Sequence, residues 1–291
     1  SPDGSLLVVS AESGAWVGMY SVPTGDLLWE YTEDTADAFQ SVHIEPSGDR
    51  VAVAVIDSTS VVSQRDASVD EAPNRFVVLD ASNGTRLQTI AYPDCLSVTA
   101  AGWSPNGERF AVGNGFDPCD RDGATNGTWV EVLDGASLES VALVDALDPL
   151  VGPLPALDES GNMALQGSEV NAVIHAAPDY RTSSEIPDST GYGAFAPDGS
   201  LITTFWGGRP ELQAVFATES GERIDIVSPL PAFPRTPFGV AFSPDGSLLA
   251  IQTEGSRTVV FGVATGELLF DLPSGATGGN PVFGPDAKRL Y

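Results

Sequence analysis

Several kinds of residue and segment are scarce in this chain of 291 residues. It has a single lysine, Lys288, and only 13 basic residues against 40 acidic ones, which gives a formal net charge of −27 at pH 7. A surface of that sign repels phosphate backbones and anionic lipid headgroups, so we expect no nucleic-acid partner. No run of about 18 apolar residues occurs, so we also expect no membrane insertion.

Residues for catalysis and for metal binding are scarce as well. The chain has two histidines, His43 and His175, and no HExxH, GxSxG, Walker-loop or CxxC motif. Its two cysteines, Cys95 and Cys119, are too few for a disulfide scaffold, although one bridge between them stays open. We therefore predict a protein that is not an enzyme and that holds no cofactor.

What the chain does contain is a repeated turn motif. Its seven copies begin near residues 1, 45, 104, 158, 196, 243 and 284, and they read SPDG, EPSG, SPNG, DESG, APDG, SPDG and GPDA. Proline at the second position presets φ for a type I turn, Asp or Asn at the third can bond to the backbone, and glycine at the fourth accepts positive φ. An apolar run follows each copy, so each motif predicts a strand, a tight turn and a second strand.

A second glycine turn follows the first one in most copies, as in VPTGDLLW (22–29) and VATGELLF (263–270). The segments around it are β-branched and aromatic, and no segment keeps a 3.6-residue apolar period. Each repeat is therefore predicted to be a meander of four antiparallel strands, which we call A, B, C and D. Repeats of this length and content predict an all-β fold, a β-propeller whose blades occupy residues 1–291 as one domain.

The stretch VAFSPDGSLLAI…TVVFGVATGELL (240–269) resembles the WD40-like family of propeller repeats, and the resemblance extends over the whole chain. The Gly-His and Trp-Asp dipeptides found in many members of that family do not occur here. At the Trp-Asp position only Leu79-Asp80 and Leu133-Asp134 retain the aspartate. The resemblance implies a bacterial repeat region that belongs to a larger signalling or regulatory chain.

The first and last copies of the repeat are incomplete. Ser1 lies inside an A–B turn, so the first blade is predicted to supply only strands B, C and D. A strand A near 279–283 could pair with residues 5–10 and close a ring of six blades, but residues 288–291 would then form a surplus strand B. We therefore expect six visible repeats, and a parent ring that could hold seven or more blades.

Two blades carry long connections between strands B and C. They are residues 57–75 in the second blade and 113–127 in the third, and both lie at the end of the blade that also carries the D–A connections. Inserted loops on one face of a repeat protein often form its binding surface. The alternative is that they are neutral surface insertions, which cost little free energy. With the proline-rich D–A segment 228–237, these loops supply the candidate contacts: Arg65, Asp66, Asp70, Glu71, Arg121, Phe233 and Arg235.

The third-blade connection also suggests two structural features. Cys95 and Cys119 are predicted at the same end of one blade, so a disulfide between them is geometrically reasonable; two free thiols are the alternative. Asp117, Asp120 and Asp122 place carboxylates close together near a glycine, as Ca²⁺ requires. The EF-hand spacing is not met, and a solvated acidic loop explains the same residues.

His43 is unusual because the equivalent positions hold Gly102, Ala156, Ala194, Ala241 and Val282. An imidazole on the innermost strand could face the central channel of a propeller, or it could be a packing histidine. No nucleophile or second ligand accompanies it, so it does not define an active site.

We predict a non-catalytic scaffold that binds a protein or a small ligand through the surface formed by the B–C and D–A loops. The alternative is an extracytoplasmic propeller enzyme or a calcium-stabilised binding protein, with Asp117, Asp120 and Asp122 holding the metal. A cytoplasmic location is favoured unless Cys95 and Cys119 form a disulfide, which would indicate an extracytoplasmic one.

Overall fold

The structure is a computed structural model, and all regular elements of its described residues are β-strands. The described residues are 1, 3–10, 16–33, 38–56, 74–92, 98–114, 129–145, 156–168, 171–186, 189, 192–205, 214–224, 237–253, 257–273 and 281–290. The chain divides into two compact units, Ser1–Pro155 and Ala156–Tyr291.

The first unit contains three blades of consecutive antiparallel strands. Blade 1 consists of β1 (Leu6–Ser10), β2 (Trp16–Ser21) and β3 (Leu27–Thr32). Blade 2 consists of β4 (Ala38–Ile44), β5 (Arg50–Ile56), β6 (Asn74–Asp80) and β7 (Arg86–Ala91). Blade 3 consists of β8 (Val98–Trp103), β9 (Arg109–Asn114), β10 (Trp129–Asp134) and β11 (Ser140–Asp145).

The second unit contains three more blades, each of four strands. Blade 4 consists of β12 (Ala156–Leu157), β13 (Met163–Ser168), β14 (Asn171–His175) and β15 (Ser183–Ile186). Blade 5 consists of β16 (Tyr192–Phe195), β17 (Leu201–Phe205), β18 (Ala214–Ala217) and β19 (Arg223–Ile224). Blade 6 consists of β20 (Pro237–Phe242), β21 (Leu248–Thr253), β22 (Arg257–Gly262) and β23 (Leu268–Pro273).

The predicted four-strand meander is confirmed, and so is the three-stranded first blade. Every pairing within a blade is antiparallel between strands consecutive in the chain. In the seventh copy of the repeat, Phe283 and Leu290 form an isolated antiparallel bridge across the turn instead of the strand pair that the sequence predicts. The fold class is therefore the predicted all-β propeller of four-stranded blades.

The A–B turns have the predicted chemistry. Glycine with φ between 69° and 82° closes six of them, and Ala287 with φ 56° takes that place in the seventh. In the turn of blade 6, the carboxylate of Asp245 accepts hydrogen bonds from the backbone N–H and the hydroxyl of Ser247, and from the hydroxyl of Ser243. These bonds lower the pKa of Asp245 to about 2. Each turn is thus closed by its own residues.

The C–D turns show one feature that the sequence did not signal. In four blades a glycine with positive φ donates its N–H to the carbonyl four residues earlier, as Gly84 does to Asp80. In blades 3 and 4 the same bond is made by Leu138 and Tyr180, with φ of 59° and 57°. Both side chains are buried, so packing offsets the cost of a left-handed backbone at a residue other than glycine.

Neighbouring blades within each unit pack through apolar clusters, which we call seams. Seam 1–2 joins blade 1 to blade 2 and includes Val17, Met19 and Trp29 with Val51, Val53, Val77 and Leu79. Seam 2–3 joins blade 2 to blade 3 and includes Ala52, Phe76, Val78 and Tyr92 with Phe110, Trp129 and Leu138. In the second unit, equivalent clusters join blade 4 to blade 5 and blade 5 to blade 6.

Candidate functional site: the loop ends of blades 1 to 3

The two long B–C connections belong to blades 2 and 3, and the structure corrects their bounds. The first was predicted at 57–75, but β6 already begins at Asn74, so Asn74 and Arg75 are strand residues. The second was predicted at 113–127, but β9 extends to Asn114 and β10 begins at Trp129. We call the end of a blade that carries its B–C and D–A connections the loop end, and the opposite end the turn end.

At the loop end of seam 1–2, a buried ion pair holds Arg75, the second residue of the strand to which the first long connection returns. The side chain of Arg75 is fully buried, and its Nη2 donates to Oε1 of Glu33 at 2.7 Å. Glu33 follows β3 directly and precedes the D–A connection of blade 1. The pair therefore joins the base of one connection to the base of the next.

Glu33 accepts two further hydrogen bonds. Oε2 receives the hydroxyl of Tyr31 at 2.6 Å, and Oε1 receives Nη2 of Arg86 at 2.9 Å. Burial by itself raises the pKa of Glu33, but the bonds from Tyr31 and Arg75 and the two positive charges outweigh it and hold that pKa below its usual value. Burial, and then the bond to Glu33, raise the pKa of Tyr31 to about 12. At neutral pH Glu33 is therefore ionised, and the hydroxyl of Tyr31 keeps its proton and donates it to Glu33 in a hydrogen bond.

At the loop end of seam 2–3, an aromatic stack occupies the equivalent place. Tyr92 follows β7 as Glu33 follows β3, and its ring lies 5.5 Å from that of Trp129 at an angle of 31°. Its hydroxyl donates to Oε2 of the buried Glu131 at 2.9 Å. Phe76 meets the same tyrosine ring edge-on at 6.4 Å.

His43 lies on β4, opposite Ala52 in the strand pairing. Paired residues of an antiparallel sheet share a face, so His43 lies on the face that forms seam 2–3, whereas its neighbours Val42 and Ile44 pack into seam 1–2. Burial lowers the pKa of His43 to about 4, which leaves the imidazole neutral at pH 7. That it faces a channel stays a prediction.

The other candidate residues lie outside the described part of the chain. They are Arg65, Asp66, Asp70, Glu71, Arg121, Phe233 and Arg235, the proposed metal ligands Asp117, Asp120 and Asp122, and the cysteines Cys95 and Cys119. Among the residues that are described, no group of three or more His, Cys, Asp or Glu is arranged to hold a metal ion. The same residues include no helix long and apolar enough to cross a membrane.

Sequence reasoning did not find Glu33, Tyr92 or Trp129, and it placed Arg75 in a loop. A signal was present, because counting back from Asp80 and Asp134, which end strand C in blades 2 and 3, puts Arg75 and Trp129 at the same repeat position. It was weak, since neither residue forms a motif and both follow long insertions. Only the packing of one blade on the next shows what they contact.

Comparison with known proteins identifies the fold of the chain through solved structures. No protein-family model matches the chain, and neither does any curated protein. Among solved structures, it is similar to hydrazine synthase of Kuenenia stuttgartiensis, with 17% identity and a TM-score of 0.71, over 100% of this chain and 90% of the other. It is also similar to U3-55K, with 12% identity and a TM-score of 0.73, over 99% and 84% of the two chains.

A third similar structure is that of the RRP9 WD40 repeats, with 12% identity and a TM-score of 0.72, over 99% of this chain and 83% of the other. At such identities a structural likeness concerns the course of the backbone, and function depends on the residues of the site. The chain has a WD40-like β-propeller fold.

Proposed function

We propose that this chain is a non-catalytic scaffold that binds a protein partner through the loop ends of its blades, with the connections of blades 2 and 3 at the centre of the surface. One observation carries the proposal. The strands to which the long connections return carry a fully buried residue at or next to their start, Arg75 in β6 and Trp129 in β10, and each contacts the residue that follows strand D of the preceding blade. Loops on a rigid base suit recognition, because less freedom is lost when a partner binds.

The charged groups at these loop ends support a scaffold over an acid–base centre. Glu33 is bonded to Arg75, Arg86 and Tyr31, and Glu131 accepts the hydroxyl of Tyr92. Each group is thus engaged with another side chain of the protein. An acid or base for catalysis would instead have to reach a substrate.

The solved structures with this fold include one named for an enzyme, hydrazine synthase, and one named for its WD40 repeats, RRP9. The fold is therefore compatible with both catalysis and binding. The proposal of a scaffold rests instead on the contacts of Glu33 and Glu131.

Charge indicates the chemistry of the partner. Residues 57–73 contain four acidic residues and one arginine, and residues 115–128 contain three and one, so the two segments carry a net charge of −5. With the whole chain at −27, a partner with a basic surface is favoured, since complementary charge speeds encounter and suppresses wrong partners. Asp66, Asp70 and Glu71 are the contacts expected to pair with that basic surface, and Phe233 is expected to be an apolar anchor, because aromatic residues are enriched in binding hot spots.

The test compares loop-end and turn-end variants. Residues 60–72 and residues 116–126 are each replaced by two glycines, and the matched control reverses charge at exposed turn-end residues with Asp26→Lys and Glu267→Lys. A partner is captured from extracts of cells that produce the protein, purified, and titrated calorimetrically against each variant. We expect each deletion to weaken binding by about tenfold or more, equal to about 1.4 kcal/mol, and the control to bind as the wild type does. Deletions that bind normally, with a control that does not, would contradict the proposal.

The calcium-stabilised alternative makes a different prediction. If Asp117, Asp120 and Asp122 held Ca²⁺ and the two cysteines were joined, the melting temperature would fall on adding a chelator, and a thiol titration would find no reactive group. Two reactive thiols and an unchanged melting temperature are expected for the scaffold.

A further inference from the structure

One residue in the described part of the chain, Tyr92, contacts the bases of both long connections, the first through its main chain and the second through its side chain. Tyr92 lies between blades 2 and 3 and is 1% exposed. Asn74 and Trp129, the first described residues after the two connections, both contact it.

The contact with the first base is a main-chain hydrogen bond. The N–H of Tyr92 donates to the carbonyl of Asn74 at 2.8 Å, which continues the pairing of β6 with β7 by one residue beyond the strand. Asn74 is itself buried, and its strand neighbour Arg75 is held by Glu33 across seam 1–2. The start of β6 is therefore fixed from both neighbouring strands and from blade 1.

The contact with the second base is made by the side chain. The ring of Tyr92 packs on Trp129, which is completely buried, and its hydroxyl reaches Glu131 two residues further along β10. Successive residues of a strand point to opposite faces, so Trp129 and Glu131 both face blade 2. Two side chains on one face of β10, Trp129 and Glu131, thus contact the same tyrosine.

Glu33, at the equivalent position of blade 1, forms a useful contrast. Its carboxylate binds Arg75 and Arg86, which both belong to blade 2. Glu33 thus contacts the start of β6, to which residues 57–73 lead. Tyr92 contacts the start of β6 and also the start of β10, to which residues 115–128 lead.

We infer that Tyr92 is a positioning residue that couples the bases of the two long connections, so that they present one binding surface rather than two independent loops. This inference rests on the proposed function, which it deepens. The strands to which the two connections return are then held relative to each other before a partner binds, and less freedom is lost on binding.

The experiment measures hydrogen exchange of the full chain without any partner, by mass spectrometry of peptides covering 74–78 and 129–133. In Tyr92→Leu, which removes the hydroxyl and the ring contacts with Phe76 of the first peptide and Trp129 of the second, we expect exchange to rise about tenfold or more in both peptides. In Tyr92→Phe, which keeps the ring and the N–H, we expect the rise in 129–133 alone. The matched control, Phe216→Leu, removes a buried aromatic residue from the second unit and should leave both peptides as they are in the wild type.

A rise confined to one peptide in Tyr92→Leu would overturn the coupling, and so would no rise in either. A rise of equal size in all blades would mark loss of the whole fold and would not test the coupling. In that event Tyr92→Phe still decides, since equal exchange of its 129–133 peptide and that of the wild type also contradicts the inference. Because no partner is present, failure here leaves the proposed function standing, and failure of the loop deletions to affect binding leaves the coupling standing.

Discussion

Seam 1–2 and seam 2–3 join blades of the same repeat, yet they are held by different chemistry. At the loop end, seam 1–2 has the Glu33–Arg75 ion pair where seam 2–3 has Tyr92 stacked on Trp129. At the turn end, Trp29 of strand D donates from Nε1 to the carbonyl of Ala81 in seam 1–2. In seam 2–3, Arg50 donates to the carbonyls of Gly135 and Ala136 and lies over the Trp103 ring.

In both seams the repeat determines where neighbouring blades touch and how much volume lies between them. It does not determine which side chains occupy that volume or how they interact. Trp29 lies over Gly84, where a Cβ would come within 2.8 Å of the indole ring. In seam 2–3, the residue equivalent to Trp29 is the exposed Gln88, and the residue equivalent to Gly84 is the buried Leu138. A large side chain therefore comes from strand D in one seam and from the C–D turn in the other.

The largest effect is expected from breaking the ion pair of seam 1–2. Arg75→Met leaves Glu33 with Arg86 as its one cationic partner among the described residues, and loss of one member of a buried pair typically costs about 3–5 kcal/mol. The double variant Glu33→Leu with Arg75→Met should recover much of that loss, because both buried charges are then removed and Arg86, which loses its bond to Glu33, is exposed to solvent. Urea unfolding of the three variants measures both values. A loss below about 1 kcal/mol in the single variant would mean that the pair contributes no more than a surface ion pair.

The two seams should also lose stability in different ranges of pH. His43, on the face of seam 2–3, has its pKa lowered from 6.5 to about 4, so between these values the unfolded chain binds the proton that the folded chain does not. Stability should fall as the pH drops from about 6.5 to 4, by at most about 3 kcal/mol. Glu33, in seam 1–2, has a lowered pKa, so its contribution is present above about pH 4.3 and is lost only below it.

His43→Ala, which matches Ala156, Ala194 and Ala241 of the other blades, tests this separation. Melting temperatures measured from pH 7 to 4 should vary less for the variant than for the wild type. If the two profiles run parallel, the pKa of His43 is the same in the folded and the unfolded chain, and burial does not lower it.

A smaller effect is expected from adding one methyl group to the turn of seam 1–2. Gly84→Ala places a Cβ against Trp29 at a residue with φ of 73°, and the strain and the clash together should cost about 2 kcal/mol. Gly25→Ala is the matched control, because Gly25 has φ of 75° in the equivalent turn of blade 1 and no atom within 4 Å of the added Cβ. It should lose only the backbone term, about 1 kcal/mol. An equal loss of unfolding free energy in the two variants, measured by chemical denaturation, would show that the Trp29 side chain moves aside for the added methyl group.

The smallest effect is expected from Trp29→Phe. The ring still covers Gly84, but the carbonyl of Ala81 loses the donor that now lies 2.7 Å away, at a cost of about 1 kcal/mol. A drop of a few degrees in the melting temperature would agree with this. No drop would mean that water replaces the indole N–H at the carbonyl of Ala81, and that a phenyl ring fills the space as well as the indole does.

Much of the fold followed from local patterns. The turn motif predicted the positive φ of the A–B glycines and the strands beside them, because Asp or Asn and Gly close such a turn with bonds to neighbouring residues. The C–D turns of blades 3 and 4 were not signalled, since Leu138 and Tyr180 adopt a left-handed backbone only because their side chains are buried. The loop bounds were misplaced for a related reason, since Arg75 reads as a loop residue until its partner Glu33 is known.

The sequence by itself thus determined the repeat, the strand order within each blade and the chemistry of the tight A–B turns, because all of these depend on residues a few positions apart. Only the tertiary structure decided which side chains meet between blades. Glu33 and Arg75 are 42 residues apart, Tyr92 and Glu131 are 39 apart, and Trp29 and Ala81 are 52 apart. No local rule specifies such pairs, because a seam demands only that the volume between two sheets be filled and that each buried polar group find a partner.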